Sequence, residues 1–194
     1  MESKITTLLD QSINLKQKVC SDAHLVSAIS TSAAMLANCA KAGGTIYACG
    51  NGGSACDAMH LCEELVARYK RTRPGIKALH FLDPGTLTCW ANDFSFDEAF
   101  GRYAETFCGD KDLLVAISTS GNSKNVLCAA QAAKAKGSKI VALSGKDGGE
   151  LAKIADCSIV IPSSETERIQ EVHITVIHIW CELLETEYGF APCP

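Results

Sequence analysis

His60 and Glu64 stand four residues apart in the run ACDAMHLCEELVA, so on a helix both side chains project from one face. An imidazole and a carboxylate placed in this way can meet one metal ion, work as an acid–base pair on one substrate, or form a solvated surface pair. A long apolar stretch near the end of the chain adds Gln170, Glu171, His173 and His178. Ionisable groups on an apolar helix need partners or a task, and for His173 the expectation is a buried, hydrogen-bonded imidazole. Together, the donors of His60, Glu64, Gln170 and His178 suit Zn²⁺ or a similar first-row divalent ion. Residues eight apart on one helix are separated by about 12 Å along its axis. Gln170 and His178 therefore reach one ion only by extending toward each other or by coming from different subunits.

Two turns rich in glycine and hydroxyl groups offer a different chemistry. Asn51, Gly52, Gly53 and Ser54 follow the apolar run TIYACG, and Ser118, Thr119, Ser120, Gly121 and Ser123 close and follow DLLVAIS. A helix start presents unpaired N–H groups and a partial positive charge, and small hydroxyls can surround a tetrahedral oxyanion without any lysine. A sugar phosphate fits this description. Hydrogen bonds to a charged group contribute about 1.5–3 kcal/mol each, enough to hold a phosphate on an acidic chain. The other reading is that the serines are turn residues and helix caps, with Ser54 capping the helix after the first turn. Neither turn has the G-x-G-x-x-G spacing or the Walker lysine, which argues against dinucleotides and nucleoside triphosphates. Asn92 and Asp93, in WANDFSFDEAF, read either as groups that orient sugar hydroxyls or as caps of the helix that follows. Lys70, Arg71 and Arg73 read as a solvated loop.

The elements that must position these groups follow from hydrophobic periodicity. Three- and four-residue steps in the first forty residues predict two leading helices. The runs 45–50, 77–82, 112–118, 139–145 and 157–162 read as strands buried on both faces. Helical stretches lie between them at 54–68, 96–107, 123–136 and 149–154, and a long helix covers 165–187. This alternation predicts an α/β fold, a three-layer sandwich around a five-stranded, mainly parallel sheet, with both turns opening at its carboxyl edge. The chain, residues 1–194, is expected to form one domain, with 1–42 a helical extension used in oligomer packing. The last helix is apolar on more than one face, which predicts subunit association.

Composition bounds the function. The 194 residues are 47% hydrophobic and 21% charged, as in a globular domain with a sizeable core. The formal charge of −4 leaves no basic excess for nucleic acid. Eleven cysteines without a C-x-x-C pair read as small hydrophobes in a reducing cytoplasm. No apolar run of membrane-crossing length and no export signal is read from the sequence.

With GNGGS, H-L-C-E-E-L, AND-F, STSGNS and ERIQE-VHI-x-VIHI in this order, the sequence resembles the phosphoheptose (sedoheptulose 7-phosphate) isomerases of the sugar isomerase (SIS) superfamily, over nearly its whole length. The resemblance implies a flavodoxin-like SIS domain. It also implies conversion of sedoheptulose 7-phosphate to D-glycero-D-manno-heptose 7-phosphate, the first step toward activated heptoses for bacterial surface polysaccharide such as lipopolysaccharide. On the matching positions it implies substrate contacts at Asn51, Gly52, Gly53, Ser54, Glu64, Asn92, Asp93 and Gln170, and a phosphate site at Ser118, Thr119, Ser120 and Ser123. One Zn²⁺ per subunit on His60, Glu64, Gln170 and His178 is implied as well, in a homotetramer with active sites between subunits. Glu167 stands where the family commonly has aspartate. For aldose–ketose interconversion through an enediol, Glu64 is expected to move the carbon-bound proton and His178 the oxygen-bound one. The alternative is a SIS-fold sensor or adaptor without catalysis.

Overall fold

The computed structural model describes residues 1–190. Five parallel strands, β1 (Ile46–Gly50), β2 (Ala78–His80), β3 (Leu113–Ser118), β4 (Lys139–Gly145) and β5 (Cys157–Ile161), form one sheet in the order β2-β1-β3-β4-β5. All four pairings are parallel. The helices are α1 (Glu2–Ser21), α2 (Ala23–Lys41), α3 (Gly53–Val66), α4 (Pro84–Asp93), α5 (Ala99–Phe107), α6 (Lys124–Ala135), α7 (Gly149–Ile154) and α8 (Thr166–Thr186). A 3₁₀ turn at Phe96–Glu98 precedes α5.

Strand side chains alternate between two cores, as the pleat requires. Ile46, Ala48, Leu113, Val115, Ile117, Val141 and Leu143 pack with α2, α3 and α8, where Trp180 is the largest fully buried side chain. Tyr47, Cys49, Leu114, Ala116, Ile140 and Ala142 pack on the opposite face with Phe100, Tyr103, Ala129 and Leu151 of α5, α6 and α7. The predicted three-layer α/β sandwich is therefore the observed one, with strand and helix limits close to those predicted. From β1 the chain crosses to β2 on one side, and from β3 it crosses to β4 on the other, so the order reverses between β1 and β3. In open α/β sheets that reversal is where ligands bind.

Several expectations are corrected. β2 has only three residues and is half-exposed, because it is the sheet edge, and β5 alternates buried with half-buried positions as the opposite edge. Residues 84–93, between the strand expected at 77–82 and the helix expected at 96–107, form α4. Asp83 caps this helix by accepting from the Thr86 N–H, with Pro84 in its first turn. None of the α4 side chains is buried, so no apolar stripe announced the helix. α2 does reach membrane-crossing length with a mean hydropathy of 1.2. Its Ala33, Leu36 and Ala37 are fully buried in the first core, and its Ser32 hydroxyl accepts from Trp180 Nε1 at 2.9 Å. Ten cysteines among the described residues are free. Burial pushes Cys62, Cys108 and Cys181 up to about 12, as suits small apolar side chains.

Candidate active site

The two turns end adjacent strands, since Gly50 of β1 lies beside Ile117 of β3. Asn51 and Asn125 tie them together through reciprocal amide hydrogen bonds of 2.8 Å each. Asn125, in the first turn of α6 and buried, was not singled out in the sequence. An asparagine at that position looks like any helix-start residue until its partner 74 residues away is known.

α3 starts without a side-chain cap. Its N-cap is Gly52, at φ +56°, and Ser54 lies buried inside the first turn. Capping by Ser54 is therefore not observed, and among the described residues the amides at this helix start have no side-chain acceptor. Around the second turn, the Ser118 hydroxyl donates to Ser123 Oγ at 3.0 Å, and the Asn122 N–H donates to Ser120 Oγ. Ser123 is the N-cap of α6 but caps no backbone N–H with its side chain. Neither α3 nor α6 has an acidic residue in its first turn. Both helix starts thus keep a favourable field for an anion.

The loop 118–123 is braced from behind. Gly121, at φ +66°, sits so close to Gly148 that a Cβ would lie 2.0 Å from the Gly148 oxygen. The Asn122 Oδ1 accepts from the Glu150 N–H, and the Leu151 N–H donates to the Gly121 carbonyl.

The ionisable residues meet on the α3–α8 groove. His60 Nε2 lies 3.0 Å from His178 Nε2 and 3.4 Å from Glu64 Oε1, and one donor atom from each of the three lies within 4.8 Å of the others. Bonds of about 2.0–2.1 Å to a tetrahedral ion would set its ligand atoms roughly 3.3 Å apart. The separations of 3.0 and 3.4 Å bracket that value, so the three donors fit one divalent ion. The same approach of two neutral imidazoles also accommodates an N–H···N hydrogen bond. The Tyr69 ring stacks on His178 at a centroid distance of 5.8 Å, and the Glu64 side chain is 14% exposed.

Gln170 lies elsewhere on the groove, against the start of α3: a Cβ on Gly53 would be 2.6 Å from its Nε2. α3 and α8 run side by side in the same direction, with Gly53 opposite Gln170 and His60 opposite His178. Seven residues of helix place Gly53 about 10 Å from His60 along the axis. Within one protomer, the histidine cluster and the uncapped start of α3 are therefore separated along the helix.

Asn92 and Asp93 are the last residues of α4, exposed and hydrogen-bonded to each other. They do not cap the next helix, because Ser95 serves the 3₁₀ turn and α5 starts at Ala99. Glu167 is exposed in the first turn of α8. His173 is fully buried, and its Nε2–H donates to the Ser144 carbonyl at 3.0 Å, as expected. Arg73 contradicts its expected solvation. Its side chain is fully buried and its Nε donates to Glu185 Oε1 at 3.0 Å, an ion pair whose second member lies 112 residues away.

Residues 10–145 match the SIS domain family. The chain is 47% identical over 184 residues to a phosphoheptose isomerase of Vibrio cholerae, covering 94% of this chain and 96% of the relative. Its structure is similar to that of a phosphoheptose isomerase from Francisella tularensis, with a TM-score of 0.91 at 30% identity, covering 95% and 98% of the two chains. A phosphoheptose isomerase from Neisseria gonorrhoeae superposes with a TM-score of 0.88 at 35% identity, over 94% and 97%.

Proposed function

This chain belongs to the phosphoheptose isomerases of the SIS-domain family, and from that membership and the geometry of the groove we propose that it converts sedoheptulose 7-phosphate to D-glycero-D-manno-heptose 7-phosphate through an enediol. The chain is thus an aldose–ketose isomerase, and the sensor or adaptor reading is not favoured. The observation that carries the mechanism is the convergence of His60, Glu64 and His178 within 4.8 Å. A carboxylate and an imidazole at one point are what proton transfer between neighbouring carbon and oxygen atoms requires.

In this reading the sugar phosphate docks its phosphate on Ser118, Thr119, Ser120 and Ser123. Asn51, Gly52, Gly53, Ser54, Gln170, Asn92 and Asp93 hold the sugar chain. Glu64 takes the carbon-bound proton and returns it to the neighbouring carbon, while His178 moves the proton between the two oxygens. Acid–base groups of this kind contribute about 10²–10⁴-fold each, and orientation through the phosphate supplies much of the remainder. His60, Glu64 and His178 would hold a divalent ion, Zn²⁺ by resemblance; Gln170, which packs against Gly53 farther along the groove, would join them only from a neighbouring protomer. A divalent ion held there would supply Lewis acidity toward the carbonyl and enediolate oxygens.

The separation of Gly53 from His60 along α3 supports active sites shared between subunits, in which one protomer supplies the histidine cluster and its neighbour the phosphate loop. A homotetramer is also supported by exposed apolar residues on α1, Ile5, Leu8, Leu9 and Ile13. An apolar recess of about 450 Å³ beside them is lined by Val19, Val26, Ile29, Val172, Val176 and Ile179. We place the enzyme in the cytoplasm, where sugar phosphates are made and thiols stay reduced.

Glu64→Gln tests the assignment. Turnover of sedoheptulose 7-phosphate should be abolished while calorimetric binding of the sugar phosphate stays within about threefold of wild type; an active variant refutes the role given to Glu64.

A further inference from the structure

The segment between α3 and β2, residues 67–77, is held by one buried carboxylate. Glu185, 2% exposed near the end of α8, accepts from three successive backbone N–H groups: Tyr69 at 3.2 Å, Lys70 at 3.1 Å and Arg71 at 2.9 Å. It also accepts from Arg73 Nε at 3.0 Å. Burial alone would raise the Glu185 carboxyl, but the N–H donors of Lys70, Arg71 and Tyr69 and the Arg73 guanidinium together hold it below its ordinary value. Arg73 in turn caps the end of α3, donating from Nη1 to the Leu65 carbonyl at 2.9 Å and from Nη2 to the Glu64 carbonyl at 2.8 Å. Those are last-turn carbonyls that lack helical partners and carry the negative end of the helix dipole.

Each end of this device touches the site. Arg73 fixes the main chain of Glu64, and the Glu185-bound backbone fixes Tyr69, whose ring stacks on His178 with an interplanar angle of 29°. Of the three anchored residues only Tyr69 carries a ring, and the Lys70 ammonium lies 5.1 Å from the centroid of that ring. A carboxylate gathering three consecutive amides is more order than an ordinary surface turn needs, and it is directed at both proton-transfer groups.

We propose that Tyr69, Arg73 and Glu185 are positioning residues of the isomerase: the buried ion pair sets the backbone of Glu64, and through Tyr69 it sets the ring orientation of His178. The inference deepens the proposed function and rests on it for the roles of Glu64 and His178. None of the three is assigned contact with substrate, so their loss should act on the rate and not on sugar-phosphate affinity. A misplacement near 1 Å is sufficient for a loss of about 10²-fold.

The experiment compares Tyr69→Leu, Tyr69→Phe and Glu185→Gln with wild type by steady-state kinetics and by NMR of the protein carrying isotope-labelled histidine. The His178 resonance among the five histidines is identified with His178→Gln. Tyr69→Leu and Glu185→Gln are expected to lower kcat about tenfold or more with KM within about twofold. Both should move the His178 ring resonance, which senses the stacked tyrosine. Tyr69→Phe, which keeps the ring, should restore kcat and resonance together. A folded Tyr69→Leu protein with wild-type kcat, or one whose His178 resonance stays in place, overturns the proposal. A Glu185→Gln protein with an unmoved resonance removes the ion pair from it. If Glu185→Gln does not fold, the two Tyr69 variants decide the question. Wild-type protein inactive on sedoheptulose 7-phosphate would refute the proposed function, and the resonances would still decide whether Glu185 and Tyr69 orient His178.

Discussion

At the scale of single residues, burial and the choice of hydrogen-bond partner divide the histidines by task. His60 and His178 face each other in the groove, whereas His173 is enclosed, with Nδ1 lacking a partner among the described residues and Nε2 donating to a carbonyl. Burial pushes His173 down to about 4 from 6.5. It is neutral in the folded protein at any pH above that, while the unfolded chain takes up a proton below 6.5. Its contribution to stability is therefore lost as pH falls from 6.5 to 4, by up to about 3 kcal/mol. Asp57, which burial raises to about 6 from 3.8, works in the opposite direction, losing stability as pH rises between those values. The wild-type profile alone mixes the two. His173→Gln, which keeps a donor for the Ser144 carbonyl, should gain about 3 kcal/mol relative to wild type between pH 7 and pH 4 in urea unfolding; a constant difference across that range would show that His173 is not a buried neutral group. The spacing of His60 and Glu64 and the oddity of charged groups on α8 were legible in the sequence. Arg73 and Glu185 were not, because a buried ion pair across 112 residues looks like two surface charges until the chain is folded.

At the scale of elements, the 118–123 loop, to which the proposal gives the phosphate, depends on a second loop that the sequence did not connect with it. Gly121 needs its positive φ and its missing side chain at once, since the Gly148 carbonyl occupies the space a Cβ would fill. Gly121→Ala therefore meets about 1–2 kcal/mol of left-handed backbone cost and a clash that separates the loops. The expected result is a KM for the sugar phosphate raised about tenfold or more, with cooperative thermal unfolding retained; unchanged KM would mean that the 118–123 loop is not the phosphate site. Strands β1, β3 and β4 were legible because burial on both faces leaves continuous apolar runs. α4 was not, because all its side chains remain exposed or half-exposed in the protomer and its start is marked only by Asp83 and Pro84. The same exposure hides from the sequence that Asn92 and Asp93 end one helix and do not cap the next.

At the scale of the whole molecule, the opening of both turns at the carboxyl edge of a parallel sheet was legible in the alternation of strands and helices, but the switch of strand order between β1 and β3 was not, because that alternation fits more than one order; the two turns do open there side by side. The distance between that opening and the histidine cluster was not legible, since it follows from the direction in which α3 leads away from the sheet edge. If neighbouring protomers complete each site, Glu64→Gln and Ser118→Ala subunits, each impaired alone, should regain activity when unfolded and refolded together, approaching about a quarter of wild type for one intact site in four combinations. Recovery no greater than the sum of the separate proteins would place both groups in one protomer's site. The parallel run of α3 beside α8 has a last consequence. Gly53 meets Gln170 and His60 meets His178 at nearly constant numerical offset, so the groove works like two rulers laid edge to edge. One residue inserted between Gly53 and His60 would leave the composition of α3 almost untouched, yet it would swing the imidazole about 100° around the axis and advance it about 1.5 Å. The spelling of these helices can drift at many letters; their lengths cannot.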